Sequence, residues 1–149
     1  MAYKTYYTAK HLLSKGALFN FVESDRSDGK TFDVKTRTLY DKKEKGLISI
    51  YMRRFKSEID EGLYSNFFGQ VLGDDNPEKE KYRKDFEGWE FKGSRKGVQC
   101  KRPGSDKWEW IVFFVPLTMS GKLKSTFDSY VAQIETINFD EYIPLDDRY

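Results

Sequence analysis

The stretch VESDRSDGKTF, residues 22–32, decides how the rest of the chain is read. It ends in Gly29-Lys30-Thr31, the close of a phosphate-binding loop of the form G-x-x-x-x-G-K-[ST], with Ser24 standing where that loop has its first glycine. An apolar segment, ALFNFVES (17–24), precedes it and reads as a strand. GKTFDVKTRTLYDKKEKG (29–46) follows, with Phe32, Lys35, Thr36, Leu39 and Tyr40 at rough helical spacing and Gly46 as a stop signal. A turn between strand and helix is the context such a loop needs. The helix N-terminus offers unpaired N–H groups and the positive end of a dipole. Lys30 would place its ammonium on the β- and γ-phosphates, and Thr31 its hydroxyl on Mg²⁺. The bland alternative is a surface turn that happens to spell Gly-Lys-Thr. The acids Glu23, Asp25 and Asp28 favour that alternative, because a poorly solvated carboxylate beside a triphosphate costs on the order of several kcal/mol. Arg26 offers those acids a partner.

A second motif lies near the other end. IETINFDEY (134–142) has an apolar pattern at Ile134, Thr136, Ile137 and Phe139 and then Asp140-Glu141, which is a Walker B arrangement. Ligands of α/β sheets bind beyond the carboxyl ends of the strands. There Asp140 would hold Mg²⁺ through water, and Glu141 would polarise the attacking water. The alternative is a strand ending in a solvated acidic turn. The two motifs together, in this order, are the parts that a P-loop ATPase requires. Arg53-Arg54 close a further strand candidate, LISIYMRR (47–54), and face phosphate, nucleic acid, a neighbouring subunit or plain solvent.

Between these landmarks, SEIDEGLYSNFFGQVLGDD (57–75) has Ile59, Leu63, Phe67 and Val71 at helical spacing, with Ser57 as its cap and Gly73 as its end. DNPEKEKYRKD (75–85) reads as a charged loop. Residues 88–119 read as a β-meander with turns at Gly93-Ser94 and at residues 102–106. SGKLKSTFDSY (120–130) reads as a polar loop, and VAQIETINFDEY (131–142) as a closing strand. The order is that of an α/β sheet with inserted β-hairpins.

Composition narrows the class. At 149 residues the chain is of one-domain size, and 12 Phe, 10 Tyr and 3 Trp supply a core. The net charge of +2 is too small for binding nucleic acid through bulk charge, so any basic footprint is local. Cys100 is the lone cysteine and His11 the lone histidine, which excludes an internal disulfide and a histidine-based zinc site. The longest apolar run, residues 110–117, is too short to span a bilayer, and the expectation is a soluble, intracellular protein without membrane partners.

The matching residues Asn20-Phe21, Arg26, Gly29-Lys30-Thr31, Tyr51, Arg53-Arg54-Phe55-Lys56, Val115-Pro116-Leu117, Phe139-Asp140-Glu141-Tyr142 and Tyr149 follow one another in a known order. The chain resembles the genome-packaging ATPases of phi-29-like small podophages, over most of its length. The resemblance implies a P-loop NTPase sheet of the additional-strand catalytic-glutamate type. It implies one ATPase domain over 1–149, truncated after Walker B. It implies ATP and Mg²⁺ as cofactors, Glu141, Lys30 and Arg26 as catalytic residues, and nucleotide contacts from Ser24, Asp28, Gly29, Lys30 and Thr31. The metal would be held by Thr31 and Asp140, and Tyr6 and Tyr7 would wall the adenine. Arg53, Arg54, Lys56, Lys122 and Lys124 would touch DNA or a neighbouring subunit. The implied partners are double-stranded DNA, a portal on a procapsid, and further copies in a ring of about five. The implied place is the host cytoplasm and, transiently, the procapsid vertex. The alternative is a non-catalytic nucleic-acid- or partner-binding module descended from such an ATPase, its binding face the meander with Lys92, Arg95, Lys96, Lys101, Arg102 and Lys107 among Trp89, Phe91, Trp108 and Trp110.

Overall fold

The computed structural model describes residues 29–118 and 127–139. The first element is helix α1 (Lys30–Lys45). It stops where Gly46 takes the left-handed conformation, φ 71° and ψ 14°. There Gly46 N–H donates to the Lys42 carbonyl, the bond of an αL cap, and Leu47 N–H donates to the Asp41 carbonyl. Lys42, Lys43 and Lys45 in the last turn complement the negative end of the dipole. The chain then reverses directly into strand β1 (Ile48–Arg53).

The sheet has five strands in the order β2-β3-β4-β1-β5. Strand β1 runs parallel to both neighbours, β4 (Trp108–Pro116) and β5 (Ile134–Phe139). Strands β2 (Glu90–Ser94) and β3 (Gly97–Lys101) complete an antiparallel meander with β4. The expected meander is therefore present, and its third strand is also a central strand of the α/β sheet. Its first turn falls at Arg95-Lys96, just beyond the expected Gly93-Ser94, which are part of β2.

Side-chain alternation divides the sheet into two packed faces. On one, Tyr51, Val98, Cys100, Val112 and Phe114 pack with Leu39 of α1 and with Phe67, Val71 and Phe86. On the other, Ile48, Ile50, Met52, Phe113, Val115 and Phe127 form a second core. A register shift makes this possible. Val98 pairs with Val112 while Gln99 pairs with Trp110, so Ile111 is an extra residue on β4. The bulge lets Ile111 and Val112 both enter the first core, and it aims Trp110 at Phe113 on the second.

Four segments differ from the sequence reading. The helix expected over 57–75 is broken into a 3₁₀ turn (Lys56–Glu58), α2 (Glu61–Tyr64) and α3 (Gly69–Leu72). The chain leaves the helix between Tyr64 and Gly69, and Phe67 and Phe68 in that turn are both buried. Asp60, not Ser57, caps α2 by accepting from Leu63 N–H, whereas Gly73 ends α3 as expected. The charged segment holds α4 (Lys79–Asp85), because Tyr82 and Phe86, four residues apart, both reach the core. Phe127 is buried rather than part of a solvated loop, and residues Asp128–Gln133 form a 3₁₀ turn where the last strand was expected to begin. Strand β5 is not a fully buried strand: among the described residues it pairs only with β1, and Ile137 is 56% exposed.

Candidate functional site

Because β1, β4 and β5 are parallel, their carboxyl ends, at Arg53, Pro116 and Phe139, share one edge of the sheet. Two side-chain contacts orient α1 against that edge. Its C-terminal half is tied to the start of β4, where the Lys42 ammonium lies 3.5 Å from the Glu109 carboxylate. Its N-terminal half is tied to the end of β5, where Arg37 Nη2 donates to Asn138 Oδ1 at 3.4 Å. The helix N-terminus therefore faces the carboxyl ends of the parallel strands.

Gly29 precedes that helix in the left-handed conformation, φ 83° and ψ 17°, which a side chain disfavours. Its carbonyl accepts from Asp33 N–H at 2.9 Å and closes the first turn. Lys30 and Thr31 are the first two residues of α1, the positions that the sequence reading gave them. Asp33, 7% exposed, stands in the first turn and accepts from Arg37 Nε at 2.9 Å. Arg37 thus links the helix beginning at Lys30 to Asn138, two residues before Asp140.

The basic residues after β1 divide. The Arg53 guanidinium turns inward, 3.8 Å from the Glu58 carboxylate and 5.4 Å from the centre of the Tyr51 ring. Arg54 lies against the exposed ring of Phe55, and Lys56 is exposed in the 3₁₀ turn. Ser24, Arg26, Asp28, Lys122, Lys124, Asp140 and Glu141 lie outside the described residues, as do Tyr6 and Tyr7. Among the described residues, no group of three or more His, Cys, Asp and Glu is placed to hold a metal ion. Thr31, a hydroxyl in the first turn of a helix, suits a metal shared with bound phosphates. Among the described residues, no helix is long and apolar enough to cross a membrane.

Three polar linkages went unread in the sequence. The first is Asp33–Arg37–Asn138, whose only sequence signal is the four-residue spacing of Asp33 and Arg37. The second is Lys42–Glu109–Arg102, in which Arg102 Nη2 also donates to the Lys42 carbonyl at 2.9 Å. The third joins Tyr40, whose hydroxyl donates to Asp85 at 2.6 Å, with Lys43, whose ammonium donates to the Asp85 carbonyl. Burial, and then the bond to Asp85, push the Tyr40 phenol above its ordinary 10. The Cys100 thiol is fully buried and pushed by that burial up to about 11, so it is a packed strand residue rather than a nucleophile.

Comparison with known proteins identifies a family and a fold. A family model described as Podovirus DNA encapsidation protein (Gp16) matches residues 1–149. No curated protein matches. The bacteriophage Phi-29 viral genome packaging motor assembly contains a chain of similar fold, with a TM-score of 0.62 and 23% identity. The match covers 96% of this chain and 37% of that one, so this chain spans little more than a third of its length. At that identity the likeness is one of fold: a mixed α/β sheet of five strands with helices packed against it.

Proposed function

The chain belongs to the family of podovirus DNA encapsidation proteins, and from that premise we propose that it is the ATP-hydrolysing part of a motor that drives double-stranded DNA into a procapsid. One observation carries the catalytic half of the reading. The helix opened by Gly29-Lys30-Thr31 is bonded through Arg37 to Asn138, on the strand that leads into Asp140-Glu141. The start of that helix and the carboxyl end of that strand thereby share one sheet edge, the kind of place where α/β proteins bind ligands. The topology agrees: the strand that follows α1 pairs in parallel with the strand that leads into the acids.

In this reading the backbone N–H groups at the start of α1 face the phosphates, and the positive end of the helix dipole favours their charge. Lys30 neutralises the β- and γ-phosphates, and Arg26 adds a second cation. Ser24 and Asp28 complete the loop around the nucleotide. Thr31 and Asp140 would hold Mg²⁺, which when bound offsets charge on the phosphate oxygens. Glu141 takes the proton of the attacking water. Arg54, Lys56, Lys122 and Lys124 serve contacts to DNA or to a neighbouring copy in a ring of about five, seated at the portal in the host cytoplasm.

The test is steady-state ATP hydrolysis by the 149-residue chain with duplex DNA, set against Glu141→Gln. The expected result is turnover that the substitution removes while ATP binding persists. Turnover that survives Glu141→Gln, or its absence from the unaltered chain, would sink the catalytic reading and leave the family's DNA-handling role to a non-catalytic module.

A further inference from the structure

The cations of this protein differ in how they are held. On the helical side several are paired with carboxylates, while Lys45, Lys81 and Lys84 are exposed and scattered over two helices. Arg37 pairs with Asp33, Lys42 and Arg102 share Glu109, and Lys79 and Arg83 share Asp74. On the outer part of the meander such exposed cations are grouped. Lys92, Arg95, Lys96 and Lys107 are exposed, and among the described residues no carboxylate lies within ion-pair distance of any of them. Only Lys101 has an acidic partner there, Glu90 at 2.9 Å.

These ammonium groups are held in place. Lys92 Nζ sits 4.2 Å from the centre of the Trp108 ring, and Lys101 Nζ sits 5.3 Å from the same ring. Lys96 Nζ sits 5.2 Å from Trp110. The register explains the grouping: Lys101 is directly opposite Trp108, and Lys92 and Trp110 both flank Gln99. Cation–π contact fixes side chains that otherwise lose rotamer freedom on binding. It also covers the indole faces, so a nucleobase finds no bare ring on which to stack. What remains is a strand surface carrying positive charge, with Lys92 and Lys96 held by rings and without carboxylate partners among the described residues.

We infer that this face of the β2–β3–β4 meander is a docking surface for the phosphate backbone of duplex DNA, separate from the nucleotide edge and from the Arg54–Lys56 turn. The charge pattern selects a polyanion, and the occupied rings select a backbone over unstacked bases. The choice of DNA rests on the function proposed above; the charge argument does not. Lys92 and Lys96 would each contact a phosphate, with Arg95 at the hairpin tip supplying a third contact.

The experiment is fluorescence anisotropy of a labelled 30-base-pair duplex with the 149-residue chain, without nucleotide, across a potassium chloride series. The triple variant Lys92→Gln, Arg95→Gln, Lys96→Gln is compared with a control of equal charge change on the helical side, Lys45→Gln, Lys81→Gln, Lys84→Gln. All six side chains are exposed, and circular dichroism checks that both variants fold. The meander variant is expected to lose about tenfold or more in affinity near 0.1 M salt and about 2–3 in the log–log salt slope, since each phosphate contact contributes about 0.9. The control is expected to keep both. Equal losses in the two variants would reduce the surface to bulk charge and overturn the inference. So would an unchanged meander variant, or tighter binding of the single strand that is lost in Trp108→Ala. ATP binding measured on the same variants stays at the unaltered value whichever way the DNA result falls, so failure here is distinct from failure of the nucleotide site.

Discussion

Removing the Arg37 side chain probes the joint on which the catalytic reading depends. In Arg37→Ala the Asp33 carboxylate loses the Arg37 guanidinium at a site where it is 7% exposed, and the arginine itself is 14% exposed in the native pair. Removing one member of a buried pair costs about 3–5 kcal/mol, and the slight exposure of both groups places this one near the lower end, about 3 kcal/mol. The bond to Asn138 is long at 3.4 Å and adds at most about 0.5 kcal/mol. Urea unfolding followed by tryptophan fluorescence reads the loss. With a slope of about 2 kcal/mol per molar, the midpoint drops by about 1.5 M. The double variant Asp33→Asn, Arg37→Met carries neither charge and is expected to recover to within about 1 kcal/mol of the unaltered chain. Arg37→Lys separates the two roles: it keeps a cation near Asp33 but loses the planar fork that reaches Asn138. It is expected to keep most of the stability and to weaken ATP binding. A midpoint drop of less than about 0.5 M for Arg37→Ala, or a double variant as unstable as the single one, would refute the argument that the pair is buried and coupled.

Other consequences follow from the packing and the titrating groups. Phe113→Ala removes a fully buried ring stacked on Phe127 at 4.3 Å, and is expected to cost about 3–5 kcal/mol in urea unfolding. Tyr40→Phe keeps the ring contacts with Tyr82 and Phe86 but loses the bond to Asp85, for a cost of about 0.5–1.5 kcal/mol in the same assay. The Cys100 thiol, raised from 9.0 to about 11 in the folded chain, contributes stability that is intact below pH 9 and lost as the pH climbs toward 11. Cys100→Val is expected to flatten that alkaline decline in melting temperature, and Cys100 is expected to resist thiol reagents at pH 8 until the chain unfolds.

Local features were the most legible part of the sequence. Helix α1 and its Gly46 stop, strand β1, the meander and the approach to Asp140 all follow from periodicity and punctuation within a dozen residues. Segment 57–75 misled because Ile59, Leu63, Phe67 and Val71 do follow helical spacing and all but Leu63 are buried, yet the chain turns between Tyr64 and Gly69 to place them. The α4 helix hid behind its charges, since only Tyr82 and Phe86 mark its inner side. The bulge at Ile111 shows no composition cue; it arises from the need to serve two cores from one strand. At the candidate site, Gly29, Lys30 and Thr31 were readable by motif, but Asn138 was not. Its role exists only because β5 lies beside β1 and brings it within reach of Arg37. The neutralisation of Lys42 and Arg102 by Glu109 was invisible for the same reason, and it changes the reading of the meander: Arg102 belongs to the structural network, while Lys92, Arg95 and Lys96 form the open basic surface.

The central claim is that the loop before α1 holds nucleotide. Isothermal titration of Mg²⁺-ATP into the 149-residue chain and into its Lys30→Ala variant tests it directly. The account predicts saturable binding by the unaltered chain and none by the variant. Equal heats from the two proteins, or no heat from either at high micromolar ATP, would contradict it.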